Sequence, residues 1–138
     1  MRNFRRLVLG LVLVSLVTPL KAETVMYCST ELATGFYRDK DNGSWGVSRF
    51  NEKRYTIKFD EAFSKAQGIS PLDTFQCEPR MNKEHMIICS SGLNDGESFG
   101  LNRNTGRFFY SNANIYGFIS DKADVDTDVL SAGTCTKF

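Results

Sequence analysis

Arg54-Tyr55-Thr56-Ile57-Lys58-Phe59 alternates charged or polar side chains with apolar ones at every step. In an extended chain successive side chains point to opposite faces, so Tyr55, Ile57 and Phe59 share one face and Arg54, Thr56 and Lys58 the other. This is the pattern of a half-buried strand, and a period of two governs most of what surrounds it. Thr24 to Ser29 predicts a first strand. Phe36 to Lys40 and Trp45 to Phe50 flank Asp41-Asn42-Gly43-Ser44, and Asn-Gly is a strong hairpin signal because both turn residues take positive φ. With Asn42-Gly43 as the turn, Lys40 faces Trp45 and Arg38 faces Val47, which sets a cation beside the one tryptophan.

Past Phe59 the period changes. Asp60 is a good helix cap, Ala62, Phe63 and Ala66 make a short apolar stripe, and Gly68 can end it, so the sequence predicts one short helix there. Strands resume over Leu72 to Glu78 and His85 to Ser91. Met86-Ile87-Ile88-Cys89 is apolar on both parities, as in a strand covered on both sides. After the Asn94-Asp95-Gly96 turn, Glu97 to Asn102 enters a hairpin closed by Asn104-Thr105-Gly106. A three-residue loop puts Leu101 opposite Phe109, Asn102 opposite Phe108 and Gly100 opposite Tyr110. Ile115 to Ser120 and Gly133 to Phe138 are the last expected strands. The fold class that follows is all-β with one short helix, a small antiparallel barrel or sandwich of about 7–9 strands.

The first 22 residues differ from the rest. Arg2, Arg5 and Arg6 precede an apolar run from Leu7 to Leu20 that ends in Lys21 and Ala22, the order of a secretory signal peptide. The run is shorter than the roughly 20 residues of a membrane span and is broken by Ser15, Thr18 and Pro19. Cleavage after Ala22 is expected, leaving 23–138 as a single β-rich domain with no membrane span, periplasmic or secreted. Arg2, Arg5, Arg6 and Lys21 leave with the leader, whereas all 16 acidic residues stay, so the mature chain carries 13 basic residues and a net charge of −3. A mildly acidic chain without a basic cluster argues against a nucleic-acid partner.

Cys28, Cys77, Cys89 and Cys135 all lie in the mature part, and an even count in an exported chain predicts two disulfides. Three pairings are possible; the expected one is Cys77 with Cys89, joining the arms of one hairpin, and Cys28 with Cys135, joining the terminal strands. A four-cysteine metal site wants closely spaced pairs, which are missing here.

Catalytic signals are sparse. His85 is the one histidine, and no nucleophile elbow, phosphate loop, zinc-helix motif or dinucleotide fingerprint is present. Asp124-Val125-Asp126-Thr127-Asp128 sets alternate carboxylates on one side of an extended loop, so Asp124, Asp126 and Asp128 could gather around calcium; a solvated acidic loop is the plainer reading. Phe108 to Phe118 is rich in aromatics and asparagines, suited to stacking on and hydrogen bonding to a saccharide or a protein. Phe108, Tyr110, Asn112, Asn114 and Tyr116 are the candidate ligand-binding residues, with Phe109 expected in the core.

These readings point to an exported binding or inhibitor-like module rather than an enzyme. The alternatives are an envelope-polymer hydrolase using a carboxylate pair and a structural component of a surface assembly. In architecture the expected barrel resembles the small periplasmic barrels that inhibit lysozyme, a likeness of fold that carries no motif residue.

Overall fold

The computed structural model describes residues 22–71, 73–93, 96–113 and 128–138. The expected leader, apart from Ala22, lies outside them, as do the expected strand Ile115 to Ser120 and the candidate residues Asn114, Tyr116, Asp124 and Asp126. The described residues form strands β1 (Thr24–Arg38), β2 (Trp45–Arg49), β3 (Arg54–Phe59), β4 (Lys65–Gln67), β5 (Thr74–Arg80), β6 (Lys83–Ser91), β7 (Glu97–Asn102), β8 (Arg107–Asn112) and β9 (Asp128–Lys137). Every pairing is antiparallel.

The long strand β1 makes closure possible. Its first part, Thr24 to Ser29, pairs with β3, while its other edge pairs with β9 from Met26 to Phe36. The ring β1-β3-β4-β5-β6-β7-β8-β9 therefore closes into an eight-stranded barrel, and β2 lies along the remaining edge of β1 as an extra strand. The expected first and second strands are thus one element. It bends at a bulge between Thr30 and Leu32, where Lys53 N–H donates to the Thr30 hydroxyl at 2.6 Å and Thr30 N–H to the Lys53 carbonyl at 2.9 Å. Pairing of Leu32 to Thr34 with β9, and of Thr34 also with β2, holds this stretch extended although its local preferences do not specify a strand.

Inward parity builds the core. Met26, Ile57, Phe59, Phe75, Ile87, Phe99, Leu101 and Phe108 are buried, and the Phe99 and Phe108 rings stack with centres 5.4 Å apart. Each fully buried side chain of this size contributes about 1.5–3 kcal/mol, an upper bound given a compact denatured chain. Both disulfides form as expected, each across a directly opposed strand pair: Cys28–Cys135 between β1 and β9, and Cys77–Cys89 between β5 and β6. The strand order puts these seams on opposite sides of the barrel, with β1, β3, β4 and β5 between them on one side and β6 to β9 on the other.

Three local expectations are corrected. No helix forms over Asp60 to Gly68. Asp60 does cap, accepting from Ser64 N–H at 2.6 Å and Lys65 N–H at 3.1 Å, but the chain turns once and continues as β4. These hydrogen bonds, led by the one from the Ser64 hydroxyl, hold its carboxyl below the usual carboxylate range. Pairing of Ala66 with both Phe59 and Phe75 outweighs the helical stripe.

The other two corrections have one cause. Arg38 faces Trp45 and Phe36 faces Val47, and Leu101 faces Phe108 rather than Phe109. Both loops are longer than expected. In Asp39-Lys40-Asp41-Asn42-Gly43 the Asp39 carboxylate accepts from Asp41 N–H, and Gly43 N–H returns to the Asp39 carbonyl at 2.8 Å. In Asn102-Arg103-Asn104-Thr105-Gly106 the Asn102 side chain accepts from Asn104 and Thr105, and Gly106 N–H returns to the Asn102 carbonyl at 2.8 Å. Gly43 and Gly106 both have φ of 71°, a left-handed conformation that glycine adopts without strain. An Asx side chain opening the turn draws further residues into the loop, which shifts the register by two in the first hairpin and by one in the second.

Candidate functional site

The register shift settles which aromatics face outward. Phe108 and Tyr110 are buried in the barrel, whereas Phe109 is 47% exposed, the reverse of the expected facing. Period two forces this result once Leu101, an inward residue, stands opposite Phe108.

Inside, Tyr110, Asn112 and Glu97 form a polar cluster near one end of the barrel. The Tyr110 hydroxyl donates to Glu97 Oε1 at 3.0 Å, and the Asn112 amide donates to the same oxygen at 3.3 Å. Burial, followed by the Glu97 charge, pushes the Tyr110 phenol far up. The Tyr55 ring, with its centre 6.0 Å from that of Tyr110, is also pushed up by burial, partly offset by the Ser131 hydroxyl. The adjoining cavity, lined by Thr30, Asn51, Lys53, Tyr55, Tyr110 and Ser131, holds about 80 Å³. That suits a few waters and falls well below the roughly 300–1,000 Å³ of sites for larger small molecules. All four cysteines are in disulfides, so none is available as a nucleophile. Among the described residues no three His, Cys, Asp or Glu side chains gather. Asp128, the one described member of the candidate calcium set, opens β9 opposite Phe36.

The outer wall carries the more unusual chemistry. Following the register across five strands, Ile88 on β6 faces Gly100 on β7, Gly100 faces Phe109 on β8, Phe109 faces Ala132 on β9, and Ala132 faces Leu32 on β1. All five residues point outward and all are apolar or glycine. Leu130 adds to the row beside them, opposite Thr34 and Ser111. Leu32 is 73% exposed, Leu130 47% and Ile88 41%. Phe36 and Val47, paired across β1 and β2, extend the apolar surface onto the extra hairpin.

Phe109 stands between two open grooves. One, of about 550 Å³, is bounded by Leu32, Leu130, Ala132 and Phe109 together with Glu31, Arg49 and Glu52. The other, of about 600 Å³, is bounded by Met86, Ile88, Gly100, Phe109, Arg80 and Arg107. Gly100 keeps the second groove open, since a Cβ there would stand 3.2 Å from Ile88 Cδ1. On the far side of the barrel, Arg54, Thr56, Lys58, Lys65, Gln67, Gln76 and Glu78 make the exposed outer wall of β3, β4 and β5 entirely polar.

The strip corrects the expectation that β6 is covered on both sides. Ile87 is buried and Ile88 is exposed, because the barrel interior takes only one parity and nothing among the described residues packs over the other. Leu32, Ile88 and Leu130 were not singled out as site residues from the sequence. The signal that could have found them is the apolar residue on the wrong parity of a strand already supplied with inward side chains.

No family model, curated protein or solved structure matches the chain, so its chemistry has to be read from its own surfaces.

Proposed function

We propose that this chain is an exported, non-enzymatic binding module that docks a protein partner against the outer strip centred on Phe109. The observation that carries the reading is the uninterrupted row Leu32, Ala132, Phe109, Gly100 and Ile88. Leaving large apolar side chains in water does nothing for the fold, and contiguous exposed patches mark interaction surfaces. Phe, Met and Arg, all present around the grooves, are enriched at the centres of protein interfaces. The strip is mainly aliphatic with a single ring, which favours a protein over the stacking surface a saccharide requires. Export is supported by the Arg2 to Ala22 leader and by the two disulfides, which persist in oxidising compartments. Among the described residues no helix is long and apolar enough to cross a membrane.

The alternatives have less support. A hydrolase needs room for substrate beside its carboxylates, and the interior cavity of about 80 Å³ offers little. Assembly by strand addition needs a long open edge, and among the described residues the strand whose outer edge is wholly free, β2, has five residues.

The test is capture from envelope and culture extracts with the oxidised exported protein, comparing wild type with Phe109→Asp and with Thr56→Asp on the polar wall. A specific partner should be retained by wild type and by Thr56→Asp and lost with Phe109→Asp. Retention by Phe109→Asp overturns the reading.

A further inference from the structure

We infer that the groove over β6, β7 and β8 recognises an acidic segment of the partner protein, with two carboxylates bracketing apolar residues. The inference rests on the strip being the docking surface and adds what the partner must present.

The two grooves flanking Phe109 differ in charge. The one on the β1 side mixes Arg49 with Glu31 and Glu52. The one on the β6 to β8 side has Arg80 and Arg107 and no acidic residue in its lining. Glu78 on β5 stands opposite Ile88 and is not part of that lining. Among the described residues neither Arg80 nor Arg107 is paired with a carboxylate. Two other arginines have local partners. The Arg103 guanidinium lies 4.9 Å from the centre of the Phe63 ring and donates to the Glu84 carbonyl, and Arg38 Nε donates to the Gly43 carbonyl at 3.2 Å. In a mature chain of net charge −3, two unpaired guanidiniums around an apolar floor reverse the prevailing sign locally.

Their placement sets the form of the ligand. Arg80 ends β5, just past an irregularity in its pairing with β6, and Arg107 begins β8, three strand spacings away, about 14 Å measured across the strands alone. An extended peptide covers that distance in about four residues. A segment with carboxylates three to five residues apart, and apolar side chains between them, therefore meets both arginines while its middle crosses Met86 and Asn102, with Ile88 and Phe109 in the next row of the groove. Guanidinium and carboxylate match as planar, charge-assisted pairs, which gives such a segment orientation as well as attraction. A fatty acid, with a single carboxylate, satisfies only one of the two.

The test is selection of a random 12-residue displayed peptide library on the oxidised exported protein, followed by binding measurements on Arg80→Gln/Arg107→Gln and on Phe109→Asp. All three substitutions are at exposed positions, and unchanged melting temperatures verify the fold. The expected pool carries two acidic residues three to five apart around an apolar centre, binds the double variant at least about tenfold more weakly, and weakens with added salt. A neutral or basic pool, or binding indifferent to the arginine substitutions, overturns the inference. If such a pool is still lost with Phe109→Asp, docking on the strip survives; indifference to both variants, or no enrichment, removes both.

Discussion

The two outer walls of the barrel obey the same inner rule and differ outside. On β3, β4 and β5 every inward residue is matched by a polar outward one, as with Ile57 beside Thr56 and Lys58. On β6 to β9 the inward parity likewise supplies the core, through Ile87, Phe99, Leu101 and Phe108, yet Ile88, Phe109 and Leu130, with Leu32 on the adjoining half of β1, face water. Folding needs one apolar parity per strand, and the polar wall shows that one is enough here. The second apolar parity is an addition that the core does not explain, and this makes the exposed strip informative about binding.

The largest expected effects lie at the seams where the two walls meet. The Cys77–Cys89 bond joins the polar wall to the strip-bearing wall and spans 12 residues, whereas Cys28–Cys135 spans 107. In the chain-entropy model, removing the longer link with Cys28→Ser/Cys135→Ser costs about 5 kcal/mol, against about 3 for Cys77→Ser/Cys89→Ser. Equal losses in urea unfolding would show that the constrained denatured chain is not what separates the two seams.

Neighbouring residues on β8 give the next largest effect and the most direct check of the contrast. Phe108→Ala should cost about 3–5 kcal/mol by opening a cavity in the core, and Phe109→Ala less than about 1. A loss at Phe109 as large as that at Phe108 would mean that the outward ring serves the fold, and the strip would lose its functional meaning.

The smallest effect belongs to the polar side. Asp60→Asn at the β3–β4 turn should cost no more than about 1 kcal/mol at neutral pH. Because the folded-state carboxyl is depressed, its contribution is present above the ordinary carboxylate pKa of about 4 and is lost as pH falls through the native value. Melting curves of wild type and variant should therefore converge in acid; a gap that persists there would assign the effect to something other than the charge.

The sequence was legible where one residue type had one task. Tyr55, Ile57 and Phe59 declared their face, and the four cysteines paired as their positions suggested. It was misleading where a side chain acted on the backbone. Asp39 and Asn102 each lengthen a loop through their own hydrogen bonds, and a single extra residue moved Phe108 into the core and Phe109 out of it. Asp60 illustrates the same limit: its carboxylate accepts from the backbone as a helix cap would, but cross-strand pairing of Ala66 makes the next element a strand. The strip was hidden for a different reason: an apolar residue on the second parity reads as burial until closure of the barrel shows that no space remains inside.

Phe138 N–H donates to the Val25 carbonyl at 3.0 Å, and its ring meets Tyr27 edge-on at 5.8 Å. The start of β1 and the finish of β9 therefore leave the barrel from a common rim. A tag or surface linker joined directly before Thr24 or after Phe138 departs in nearly the same place, beside the seam held by Cys28 and Cys135. The choice of terminus for immobilisation consequently does little to change how the molecule is presented, and joining the two ends to open the chain elsewhere asks for only a short bridge.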